Sequence, residues 1–187
     1  MRIVPFTPDI DVSDFTCGGE QHHFDLDDFL KTEALRYAGQ SLGHTYLAIE
    51  DGLVLGYITH LTDSIRLSVA EKDNLKSRLG FPPPHTIPAL KIGRLARLAR
   101  HEGRGVGSAL MRHAFDKLMD LSESTGCRFL SVDAIPSAVS FYEKLGFVGN
   151  EHGSYQGKNR DTTSMRFDAF APELPEWTGM GNATHRS

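Results

Sequence analysis

The stretch RHEGRGVGSAL, residues 100–110, constrains this chain more than any other. Three glycines alternate with other residues, an apolar run (ALKIGRLA) comes before them, and an amphipathic segment follows at once. That order predicts a strand, a tight turn and a helix. N–H groups at a helix start have no intrahelical acceptor, and the dipole makes that end positive. Glycine lets an oxygen-rich group come close. Lys91, Arg94, Arg97, Arg100 and Arg104 add cations along the same stretch. The pattern suits an anion carrying several phosphates. On spacing alone, a plain glycine turn with solvated arginines stays open. Two nucleotide loops are excluded. A GxGxxG fingerprint starting at Gly103 meets Ser108, and one starting at Gly105 meets Leu110. The GxxxxGK[ST] phosphate loop is absent.

The chain has 187 residues, 40% of them hydrophobic, which suits one soluble domain with a sizeable core. A net charge of −4 argues against a general nucleic-acid binder, although a local basic patch is compatible with it. Cys17 and Cys127 form no CxxC pair and are expected to be reduced, in a cytoplasmic protein. The opening MRIVPFTPDID has no signal-peptide character, and no run approaches a membrane span.

RIVPF reads as a short strand. Asp25 to Ala38 reads as an amphipathic helix with Leu26, Phe29, Leu30 and Leu35 near one face. HTYLAIE and LVLGYITHL flank Asp51-Gly52 and predict a β-hairpin. Ser64 to Leu79 is expected to be partly helical. GFPPPHTIP is expected to be an irregular connector, because consecutive prolines remove donors. Val106 to Leu121 carries a stripe of Val106, Leu110, Ala114, Leu118 and Leu121, with Arg112, Asp116 and Asp120 away from it. Cys127 to Ala134 reads as a strand, and Pro136 to Leu145 as a helix stopped by Gly146. Phe147-Val148 and Thr163 to Phe170 read as closing strands. Residues 171–187 read as a loosely ordered tail, pinned by Trp177.

At this point two motifs resemble a known family. IGRLARLARHEGRGVGSALM is similar to the acetyl-CoA-binding motif of the GNAT acetyltransferase superfamily, a strand followed by Q/R-x-x-G-x-G/A at a helix start. VDAIPSAVSFYEKLGF is similar to that family's fourth-strand-plus-helix element, which commonly ends in FYEKLGF. They stand in the family's order and spacing, and the likeness covers roughly residues 15 to 170. It implies a single-domain GNAT fold over residues 1–170, an α/β (α+β) domain with a central mixed, mostly antiparallel sheet flanked by helices.

The resemblance implies that the anion is the pyrophosphate of coenzyme A, with acetyl-CoA as cosubstrate and no metal. Gly103, Arg104, Gly105, Val106, Gly107 and Ser108 would cradle it through backbone N–H groups. Leu95, Ala96 and Arg97 would pair through their backbone with the pantetheine arm. Two departures stand out. The family's Gln or Arg is Glu102 here, which is expected to point away from the phosphates. The usual Asn after the last central strand is replaced by IPS, one residue shorter.

Acetyl transfer needs a neutral amine, stabilisation of the carbonyl oxygen and a proton for the thiolate. By the resemblance, Tyr142 of the FY pair supplies that proton; a phenol with a pKa of about 10 is protonated at neutral pH. A backbone N–H on the 95–98 strand would serve the oxyanion. Asp133 is a candidate base or a plain strand-end carboxylate. His22 and His23, near Asp25, Asp27 and Asp28, match no metal-site spacing and read as solvated surface.

FTCG, LDDFL, TYLA, the proline-rich connector and IGRLA also resemble, in part, the GNAT toxins of toxin–antitoxin pairs. Those proteins acetylate the amino group of aminoacyl-tRNA and are held inactive by a small ribbon-helix-helix antitoxin. The acceptor stays open between aminoacyl-tRNA and a small-molecule or peptide amine. A non-catalytic acyl-CoA-binding module is a third possibility, which Tyr142 argues against. A homodimer is compatible with the sequence.

Overall fold

The computed structural model describes residues 1–18, 21–101, 103–156 and 161–179, the side chains of 21–24 excepted. Along the chain run β1 (Arg2–Pro5), α1 (Gln21–Asp28), a π-helical turn (Phe29–Glu33), α2 (Ala34–Gly39), β2 (His44–Glu50), β3 (Leu53–Arg66) and α3 (Val69–Leu79). Then come β4 (Thr86–Arg97), α4 (Val106–Ser124), β5 (Phe129–Ala134), α5 (Pro136–Lys144), β6 (Val148–Gly149) and β7 (Thr163–Asp168). The strands form a seven-stranded sheet in the order β1-β2-β3-β4-β5-β7-β6. The pairings β1–β2, β2–β3, β5–β7 and β6–β7 are antiparallel. This is the mostly antiparallel α/β architecture expected from the sequence. The residues gather into two compact units, Met1–Leu61 with Ile92–Ala114, and Thr62–Lys91 with the chain from Phe115 onward.

In the first unit, β2 and β3 form the expected hairpin. Asp51 and Gly52 both have positive φ (51° and 79°), as a two-residue hairpin turn requires. The core of this unit gathers Phe15, Phe29, Leu30, Ala34, Leu47, Tyr57, Ala96 and Leu98. Tyr57 is fully buried, and its hydroxyl donates to Leu26 O at 2.7 Å, so its polar end is satisfied.

The first helix departs from expectation. It starts at Gln21 rather than Asp25, and it is irregular over Phe29–Glu33, where Ala34 N–H reaches Phe29 O five residues back. The wider turn carries the buried face from Phe29 and Leu30 to Ala34. Leu35, expected inward, is therefore 36% exposed.

In the second unit, Ile65, Leu67, Leu75, Ile87, Ala89 and Phe129 form a core under α3. Ser68 starts α3 with a full capping box. Its side chain accepts from Glu71 N, and the Glu71 carboxylate accepts from Ser68 N. β3 runs on to Arg66, five residues past its expected end at Leu61. The proline connector is irregular up to His85, but Thr86, Ile87 and Pro88 already belong to β4. Pro88 is tolerated there because its side chain is exposed and its carbonyl still accepts from Arg128 N at 3.0 Å. Trp177 donates to Leu145 O at 2.9 Å, and its ring packs against Phe115 and Phe167. Residues 180–187 of the expected tail lie outside the described residues.

Candidate active site

The glycine turn and the start of α4 belong to the first unit. β4 ends at Arg97, a 3-10 turn spans Ala99–His101, and α4 begins at Val106. Gly103 and Gly105 have φ of 75° and 73°, a left-handed conformation that explains glycine at both positions. Among the described residues, a Cβ at either would meet no atom within 4 Å beyond its chain neighbours, so the side of the turn it would face is open. The N–H of Ala109 bonds Gly105 O at 3.0 Å. The N–H groups of Val106, Gly107 and Ser108 precede it, in the first turn, where a helix offers no acceptor. Val106 is buried and anchors the turn, while Arg104 and Ser108 are exposed. Glu50 is held below the usual carboxylate range chiefly by its hydrogen bond and charge interaction with the Met1 ammonium, with smaller contributions from Arg104 and His101.

The five cations of residues 91–104 do not share one role. Lys91 Nζ lies 2.7 Å from Asp133 Oδ2, within the second unit. Arg94 sits with its guanidinium 4.8 Å from the Phe29 ring centre and donates to Gly93 O at 2.8 Å. Arg97 donates to Ala99 O at 3.3 Å. Of the strand residues expected to meet the pantetheine arm, Ala96 is buried in the core, while Leu95 and Arg97 are half-buried. The structure thus places Leu95–Arg97 and residues 103–108 on one continuous strand-turn-helix segment of the first unit. Glu102 lies outside the described residues.

Tyr142 belongs to the second unit, on α5. Pro136 opens that helix at a position where no N–H is needed, and Gly146, with φ of 85°, ends the turn beyond it. The Tyr142 ring is buried beside Phe141 and Phe147, with centroids at 5.1 and 5.3 Å. Burial pushes its phenol well above the usual tyrosine range, so it stays protonated at neutral pH. Asp133, weighed as a base, is engaged by Lys91 and partly exposed.

Three features escaped the sequence. The π-helical turn has no local signature. The Arg94–Phe29 contact joins residues far apart in the chain. Asp27 is buried and accepts from Cys17 N at 2.8 Å, and burial together with Asp27 raises the Cys17 thiol. The side chains of His22 and His23 lie outside the described residues. Among the described residues, no group of His, Cys, Asp or Glu is placed to hold a metal ion, and no helix is long and apolar enough to cross a membrane.

Comparison with known proteins bears on the same segments. The Acetyltransferase (GNAT) domain family matches residues 41–149. A tRNA-acetylating toxin of Mycobacterium tuberculosis is 30% identical over 138 residues, 73% of this chain and 78% of the toxin. The structure of the toxin AtaT complexed with acetyl-methionyl-tRNAfMet superposes with a TM-score of 0.71 at 27% identity, covering 89% of this chain and 94% of that one. AtaTR bound with acetyl-CoA gives a TM-score of 0.69 at 28% identity, covering 90% and 93%. A mutant of AtaT has also been solved bound to the C-terminus of the antitoxin AtaR.

Proposed function

The chain belongs to the GNAT family of acetyltransferases, and from that premise we propose that it transfers the acetyl group of acetyl-CoA to the amino group of aminoacyl-tRNA. What carries this assignment is the likeness, across 73% of the chain, to a toxin named for acetylating tRNA.

The backbone N–H groups of residues 103–108 take the pyrophosphate of acetyl-CoA, favoured by the dipole of α4. The backbone of Leu95, Ala96 and Arg97 pairs with the pantetheine arm. An N–H of the 95–98 strand stabilises the oxyanion as the neutral amine attacks the thioester carbonyl. Collapse of the tetrahedral adduct forms the amide and expels the thiolate, to which Tyr142 gives its proton. The attacking nitrogen loses a proton to solvent. An α-amino group has a pKa of about 8, so enough is neutral at physiological pH without a strong base. No metal takes part.

The partners that follow are charged tRNA and a ribbon-helix-helix antitoxin, in the cytoplasm. A second assignment, transfer to a small-molecule or peptide amine, draws support from the net charge of −4, which is low for an RNA-binding enzyme. The deciding experiment supplies labelled acetyl-CoA to charged tRNA beside polyamines, aminoglycosides and peptides, with a Tyr142→Phe variant in parallel. Label on charged tRNA, lost in the variant, supports the first assignment. Label only on a small amine or peptide replaces it with the second. Binding of acetyl-CoA with no label anywhere points to a binding module.

A further inference from the structure

Arg94 differs from the other well-placed arginines. Arg78, Arg128 and Arg166 each reach a carboxylate, Asp168 or Glu71. Arg94 is half-buried, yet among the described residues no carboxylate pairs with it; its contacts are the Gly93 carbonyl and the face of Phe29. Its seat is rigid. Phe29 is 3% exposed, edge-on to Tyr37 at 5.2 Å and stacked with Tyr57 at 6.4 Å. Phe29 also opens the π-helical turn, its carbonyl bonded to Ala34 N–H. A guanidinium held on an aromatic face, with one of its five N–H donors on a backbone carbonyl, keeps a planar fork for a phosphate or carboxylate.

The order along β4 narrows the ligand. The strand runs from Thr86 to Arg97 and leads into the anion turn at residues 103–108. An arm lying along Leu95–Arg97 with its phosphates at that turn has its acyl end toward Arg94. Each strand residue adds about 3.3 Å, so Arg94 stands at the acyl end of that arm, away from the cofactor phosphates. We propose that Arg94, seated on Phe29, grips a backbone phosphate at the 3′ end of the charged tRNA and so fixes its amino group toward the thioester. This rests on the acceptor assigned above. It also explains how a chain of net charge −4 can hold RNA near the reaction: through a pre-organised fork rather than a broad positive field.

Steady-state kinetics of full-length Arg94→Gln test it, with charged tRNA and with a phosphate-free amino-acid methyl ester as acceptors, across a salt series. The expected result is a KM for charged tRNA raised about tenfold beyond any change with the ester. The slope of log kcat/KM against log salt should become shallower by about 0.7 to 0.9. The KM for acetyl-CoA should change far less. Arg94→Lys, which keeps the charge but not the fork, serves as the conservative variant: it should retain the salt slope and recover part of the KM. An unchanged KM for charged tRNA overturns the inference, and so does an equal rise in the KM for acetyl-CoA. If the wild-type protein leaves charged tRNA unlabelled while acetylating the ester, the acceptor assignment itself falls, and Arg94 with it.

Discussion

A Cβ on Gly56 would stand 2.6 Å from the carbonyl oxygen of Ala96. It would also lie 2.8 Å from Val106 Cγ1 and 3.2 Å from Leu110 Cδ1. Glycine in β3 therefore lets the end of β4 and the first turn of α4 close on the same spot. Gly56→Ala should destabilise the fold by about 1–3 kcal/mol, the usual cost of overpacking, and push the α4 start outward. The expected pattern is a lower denaturation midpoint together with weaker coenzyme A binding by titration calorimetry. Gly149→Ala is the control, because a Cβ there meets nothing within 4 Å. If Gly56→Ala binds coenzyme A like wild type, the first turn does not hold the phosphates.

Gly105 presents the opposite situation, a left-handed φ of 73° with open space ahead of it. Gly105→Ala should cost about 1–2 kcal/mol through backbone strain. Gly105→Asn should recover much of that, since Asn tolerates this conformation, but its side chain enters the open space. A bound phosphate at the turn then predicts that both variants raise the KM for acetyl-CoA, while only the alanine variant melts clearly lower. Wild-type KM in Gly105→Asn would place the phosphates elsewhere.

Tyr142 packs by its ring and would act by its hydroxyl, and Phe separates the two. Tyr142→Phe should melt close to wild type, hold acetyl-CoA with a similar KM, and lose about 100-fold in kcat. Burial raises the phenol in the folded protein, whereas unfolding returns it to about 10. The folded state is therefore favoured below that pH and loses stability as the pH climbs past it. Melting curves between pH 9 and 11 should show this loss in wild type and less of it in the variant. A kcat that survives the substitution would assign the proton donor to another group.

The parts of the fold legible in the sequence are those set by local rules. Asp51-Gly52 marks the hairpin, the Val106–Leu118 stripe marks α4, and Pro136 and Gly146 bracket α5. The glycine turn was legible because two of its glycines serve backbone angles that few other residues adopt. What stayed hidden depends on distant partners. The apolar run of β2 is visible, but the extra length of β3 lies beyond its register with β2 and meets distant residues, Asp63 accepting from the Ser131 hydroxyl at 2.6 Å and the Arg66 N–H bonding the Tyr155 hydroxyl at 3.1 Å. Leu35 fits a regular helical face, and only the π-helical turn displaces it. The cation cluster was visible as a count, but its division was not. Lys91 is claimed by Asp133 and Arg94 by Phe29, through contacts 42 residues apart in the first case.

The same dependence on distant partners governs Glu71. Its side chain is 7% exposed, and Arg166 Nη1 lies 2.6 Å from it. Burial works to raise its pKa, but the Ser68 N–H, the Arg166 charge and the Glu151 N–H outweigh this, and the carboxyl ends below its ordinary value. A depressed folded value means stability present above the unfolded pKa of about 4.3 and lost as the pH falls through the folded one. Glu71→Gln should therefore flatten the acid side of the stability curve. It should also cost about 3 kcal/mol at pH 7, because Arg166 is left buried without its counter-charge. Among the described residues Arg166 keeps Asn150 Oδ1 at 2.8 Å, the Gly149 carbonyl at 3.4 Å and the face of Phe129 at 5.7 Å, none of them a counter-charge. The paired change Glu71→Leu with Arg166→Met should recover much of the loss, as replacing both charges by apolar groups removes the uncompensated one. Urea denaturation from pH 3 to 8 measures all three proteins. A single variant with wild-type acid sensitivity would show that the Glu71–Arg166 pair is not what ties α3 to β7.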